Sequence, residues 1–144
     1  MKKIKKKKRS IFKNNIHLYI PPFMWAGFIY FLSSLTFSSQ GGIPGLDKVV
    51  HFAEYFILTL LFYRMYFSEL GLKKFTVGYL AVITSFIFSL TDEFHQTFVP
   101  TREVSLYDIL FDTIGASAAI FAIWKLLPKA PKKLLTWAKK LGLI

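Results

Sequence analysis

Apolar residues in this chain gather into four blocks, at residues 18–37, 49–67, 75–90 and 104–127, separated by short polar connections. A helix needs about 20 residues to cross a bilayer, so the pattern predicts an all-α bundle of four transmembrane helices. The third block is short at 16 residues, and Thr91 and Asp92 are expected to extend it toward the hydrocarbon boundary. Pro21 and Pro22 are expected in the first turn of the first span, where a missing N–H matters little. The first block is longer than the apolar core of a signal peptide, and no A-x-A-like site follows it in residues 33–42. It reads as a retained anchor. Three regions result: a basic N-terminus at 1–17, a four-span domain at 18–127 and a basic tail at 128–144. In that tail Leu134, Trp137, Ala138 and Leu141 share one helical face, as expected of an amphipathic helix lying in the membrane interface.

Charge orients the four spans. Of the 19 Lys and Arg, 17 lie before the first span, around the second connection or after the fourth. The other connections hold only Lys48 and Arg102. Basic flanks face the cytoplasm, and all three basic regions share a side only if the number of spans is even. The expected product is a multi-pass protein of the cell membrane, with both termini cytoplasmic. The lysine run is explained by topology and calls for no nucleic acid. The chain is 53% hydrophobic and 18% aromatic, which fits one compact membrane unit with the bilayer as its main partner. With no cysteine, disulfides and thiolate metal sites are excluded.

Topology does not explain the acids. Asp47, Glu54, Asp92, Glu93, Glu103, Asp108 and Asp112 all fall at or just inside the opposite face, with His51 and His95 among them. His51 and Glu54 are three apart and so project from one face of the second helix. At 1.5 Å per residue they lie roughly 5 and 9 Å deep. In the fourth helix Ser105, Asp108, Asp112, Gly115 and Ala119 form a single small-and-polar stripe. An acid facing lipid costs about 3 kcal/mol, so these acids must point inward to partners or water. Hydrogen bonds that tie helices together are one reading, with Gly115 and Ala119 permitting close packing. A working site is the other, and four such groups together favour it.

The run Asp92-Glu93-Phe94-His95-Gln96 reads as a polar segment following the third helix. Short connections bring it, with Arg102, to the mouth that holds His51 and Asp108. His51, Glu54, Asp92, Glu93, His95 and Asp108 are the catalytic candidates. Asp47, Lys48, Gln96, Arg102 and Asp112 are candidate binding residues. The mixture is compatible with a divalent metal, for which His51, Glu54, Asp92 and His95 are candidate ligands. It is equally compatible with acid–base chemistry or with gripping an anionic headgroup through Arg102 and Lys48.

Asp47-Lys48-x-x-His51-Phe52-x-x-Tyr55, then Asp92-Glu93-x-His95-Gln96, Arg102, and Asp108 with Gly115 seven residues on, together resemble the signature of the VanZ-like family. The resemblance runs from about Ser33 to Ala119. One departure is Asp112, where the pattern often has Asn. The family is named for a protein encoded beside glycopeptide-resistance genes and linked to low-level teicoplanin resistance. The resemblance implies a small integral protein of the bacterial cell envelope, without specifying a reaction.

Two functions stay open. In the first, an outward-facing polar cavity binds or moves a lipid-like or lipid-linked ligand, with an effect on teicoplanin susceptibility. In the second, the chain is an intramembrane metal-assisted hydrolase or transferase acting on a lipid-linked cell-wall precursor. Ser105 and Thr101 are the outer hydroxyls read as candidate nucleophiles, and neither lies in a nucleophile motif such as G-x-S-x-G. Whether the chain is an enzyme is therefore open, as is a homodimer.

Overall fold

A computed structural model of the chain describes residues 15–35, 45–100 and 105–144. Every regular element among them is helical. These are α1 (Ile16–Ser33), α2 (Leu46–Glu69), α3 (Lys74–Gln96), α4 (Leu106–Phe121) and a short α5 (Lys132–Lys140). Between α4 and α5 the chain widens into a π-type turn over Ala122–Leu126 and tightens into a 3₁₀ turn over Leu127–Lys129. Pro128 accounts for that ending, since it cannot donate to the carbonyl one turn back.

Among the described residues, three helical stretches are long and apolar enough to cross a membrane: Ile16–Ser33, Lys74–Gln96 and Leu106–Lys129. Their outer faces carry exposed Phe23, Phe31, Tyr79, Ile87, Leu110 and Phe121. The second expected span, α2, has 24 residues but is not among the three. The reason is composition, since His51, Glu54, Arg64 and three tyrosines lower its mean hydropathy. His51, Tyr55, Thr59 and Tyr63 are buried, because α2 is the central helix and packs on α1, α3 and α4.

Contacts along the helices define an up-down-up-down bundle. Asn15 and Tyr19 of α1 donate to Glu69 at the far end of α2, at 2.6 and 3.0 Å. Tyr66 of α2 meets Thr84 of α3, and Thr59 donates to Ser85. Gly71, with φ +62, sits just past the end of α2 and turns the chain toward α3.

α2 and α4 run parallel and share the most extensive interface in the molecule. A Cβ on Gly115 would collide with the carbonyl of Phe52, so glycine is what lets the two backbones approach.

Two expectations need correction. Helix α1 starts at Ile16, so Pro21 and Pro22 lie inside it and not in its first turn. The Asp92–Gln96 segment does not follow the third helix but belongs to it, because α3 runs through to Gln96. In α5, Ala138 is buried while Leu134, Trp137 and Leu141 of the same apolar face are exposed.

Gly115→Val should therefore destabilise the detergent-purified protein by at least 1–3 kcal/mol, the usual cost of overpacking. Gly27→Ala is the control, since its Cβ would enter open space. Equal thermal midpoints for the two variants would show that the α2–α4 approach is not limiting.

Candidate functional site

Helices α1 and α3 end, and α2 and α4 begin, at the same end of the bundle. All four contribute polar side chains there. Asp112 is the deepest. Its Oδ1 lies 3.0 Å from His51 Nδ1, and its Oδ2 accepts from the Ser89 hydroxyl at 2.6 Å. With Nδ1 committed to Asp112, Nε2 is the ring nitrogen left to face other groups. A carboxylate behind an imidazole in this way orients the ring and raises its basicity.

One turn nearer the surface, Lys48 of α2 hydrogen-bonds Asp108 of α4 and also pairs with Asp47 at 3.0 Å. Both residues precede the apolar run that begins at Val49. The Lys48 ammonium holds the Asp47 carboxyl below its ordinary pKa. Burial opposes the charge on Lys48, but Asp108 and Asp47 outweigh it and raise the ammonium pKa. Side-chain exposure climbs from 1% at Asp112 through 9% at Asp108 and 23% at Lys48 to 58% at Asp47. The cluster thus reaches from the core to the surface.

Glu93 closes the third side. Its Oε2 accepts from the Ser105 backbone N–H at 3.2 Å. Its Oε1 is buried and has no hydrogen-bond partner among the described residues. Ligand-type atoms of His51, Glu93 and Asp108 all lie within 4.8 Å of one another. This group differs from the one read off the sequence, sharing only His51 with it.

Asp92 faces another way, accepting from Ser33 at 2.7 Å and from Gln96 at 3.3 Å. His95 stacks on the Tyr30 ring, and both its nitrogens are engaged, by Tyr30 Oη at 2.8 Å and Ser34 Oγ at 2.9 Å. Glu54 is half-buried one turn further along α2 and is not one of the three converging donors. Its carbonyl accepts from Trp25. Thr101, Arg102 and Glu103 lie outside the described residues.

Ser33 and Ser89 were missed in the sequence, and each anchors a buried acid. A signal existed for Ser89. Ser85, Ser89, Asp92 and Gln96 recur at four, three and four residues, a single face of α3, and all are buried.

The acids and their partners pack side chain on side chain. A described cavity of about 410 Å³, lined by Thr113, Ile114, Ser117, Ala118 and Phe121, lies on the face of α4 turned away from Asp112.

The VanZ/LLP1 family matches residues 3–128, which include every helix that builds this cluster. The chain belongs to that family. Among curated proteins, the uncharacterized protein C11E3.10 of Schizosaccharomyces pombe is 34% identical over 87 residues, covering 60% of this chain and 51% of the relative. The chain thus spans about half the length of that relative. No solved structure matches it.

In this VanZ/LLP1 chain the His51–Asp112 contact should show as energetic coupling. A double-mutant cycle with His51→Ala and Asp112→Asn, read by thermal unfolding in detergent, should return about 1–3 kcal/mol. Tyr30→Phe paired with Asp112→Asn should be additive within about 0.5 kcal/mol. Additivity in the first pair would mean that the imidazole and the carboxylate do not depend on each other.

Proposed function

We propose that this VanZ/LLP1 chain is a multi-pass protein of the cell membrane, with four spans and both termini cytoplasmic. We propose further that its acid–imidazole cluster, at the opposite face, binds the polar headgroup of a lipid-like ligand. For α2 as the remaining span, the support is its length, about 36 Å at 1.5 Å per residue, and its place between three apolar helices. For the site, the carrying observation is the continuous polar path from buried Asp112 to exposed Asp47, with the Lys48 ammonium near its rim. An ammonium beside buried carboxylates suits a zwitterionic or anionic headgroup, and the exposed apolar faces put lipid next to it.

A second reading, hydrolysis or transfer on a lipid-linked precursor, is favoured by one observation. Ser89, Asp112 and His51 are aligned so that the imidazole is oriented and its other nitrogen is left for proton transfer. Teicoplanin susceptibility has weaker support, since the fission-yeast relative shows that family resemblance extends beyond bacteria.

Topology is testable because the chain has no cysteine of its own. Thr97→Cys should label with an impermeant thiol reagent on intact cells, and Thr136→Cys only after permeabilisation. Labelling of Thr136→Cys from outside would overturn the four-span arrangement.

Headgroup binding is read by native mass spectrometry of protein purified in mild detergent. The wild type should retain about one lipid per chain, and the double variant Lys48→Ala, His51→Ala should lose it. Equal retention by both proteins would place lipid binding elsewhere.

A further inference from the structure

We infer that His51, Glu93 and Asp108 form a binding site for one divalent cation of the Zn²⁺ or Mn²⁺ type. Two independent observations carry this. The first is convergence, because one donor atom from each of α2, α3 and α4 lies within 4.8 Å of the other two. The second is Glu93. It is only 3% exposed, it receives a single N–H on Oε2, and its Oε1 has no partner among the described residues. Buried polar atoms are almost always satisfied, and a buried carboxylate oxygen without a donor calls for a cation, a proton or an ordered water. Lys48 does not supply that charge, since its ammonium is already shared between Asp108 and Asp47.

The donor set narrows the ion. One imidazole nitrogen and two carboxylate oxygens, with no thiolate in the chain, disfavour soft ions. The imidazole favours Zn²⁺ over Mg²⁺ or Ca²⁺, and the two carboxylates also suit Mn²⁺. A tetrahedral ion about 2.0–2.2 Å from each donor would draw these atoms to about 3.4 Å apart, a contraction that side-chain rotation can supply. Each donor is also backed by a second group: Asp112 behind His51, the Ser105 N–H on Glu93, and Lys48 on Asp108. Such backing is what keeps metal ligands oriented. Three protein ligands leave a coordination position open. The occupant of that position, an anionic oxygen of a phosphate or carboxylate headgroup, rests on the headgroup-binding reading above.

The test uses full-length protein purified in detergent and stripped with a chelator. Titration with Zn²⁺ or Mn²⁺, read by calorimetry and by elemental analysis after desalting, should give one ion per chain. Glu93→Gln, which keeps the shape, and His51→Ala should each weaken binding at least tenfold. Asp112→Asn should weaken it about 10–100-fold by releasing the imidazole. His95→Ala should bind like the wild type. The ion should also raise the thermal midpoint of the wild type and leave that of Glu93→Gln unmoved, because only a native state with the site gains from the ligand.

A cooperatively folded wild type that binds no ion overturns the inference. So does binding that survives Glu93→Gln but is lost in His95→Ala or Asp92→Asn. The two readings fail separately. Lipid retained by protein that binds no metal removes the cation site and leaves the headgroup reading standing. Stoichiometric metal with no lipid retained supports the cation site and removes the headgroup reading.

Discussion

The close approach of α4 to α2 at Gly115 is the constraint on which the rest of the molecule depends. With no Cβ at that position, the α4 backbone packs against the Phe52 carbonyl. Because the two helices run parallel, this one contact sets the register of everything above it. Asp112 falls level with His51, and Asp108 falls level with Lys48. A larger residue at 115 would push α4 outward and separate both pairs together.

The bundle is polar inside at one end and apolar outside, which is the arrangement a bilayer demands. Burial of Asp92, Glu93, Asp108, Asp112 and His51 is tolerable only because the helices bring them mutual partners. Helix direction helps. The N-termini of α2 and α4 carry partial positive charge, and Asp47 and Asp108 stand in their first turns. Further along the interior, the Thr59–Ser85 bond continues the polar contacts before aromatic packing takes over at Phe62, Tyr63 and Tyr66. Central α2 is less apolar than its neighbours for the same reason, since it meets protein on three sides.

Within the cluster the acids divide into two sets. Asp92 and Asp112 have hydrogen bonds on both oxygens, from Ser33 and Gln96 in one case and from His51 and Ser89 in the other. They hold helices and rings in place. Glu93 retains an oxygen with no partner among the described residues, and His51 retains a nitrogen not used by Asp112. These two groups, from different helices, are where ligand chemistry can enter.

Periodicity was enough to read the helical class and the approximate positions of four helices, and the order and spacing of particular residues carried the resemblance to the family. Each depends on local spacing alone, because a helix places residues three and four apart on one face whatever it packs against. The inward stripe of Asp108, Asp112, Gly115 and Ala119 was legible for the same reason, and all four are buried. What spacing could not supply was the pairing across helices. His95 and Asp92 look like ligands in the sequence, yet Tyr30, Ser33 and Ser34 of α1 occupy them, and nothing in α1 marks those residues as partners. Glu93 looks like Asp92's neighbour and lies on a different side of α3, turned toward His51 and Asp108. Only packing decides such choices, since the rotation of each helix about its axis is set by contacts such as Gly115 on Phe52, made between residues far apart in the chain.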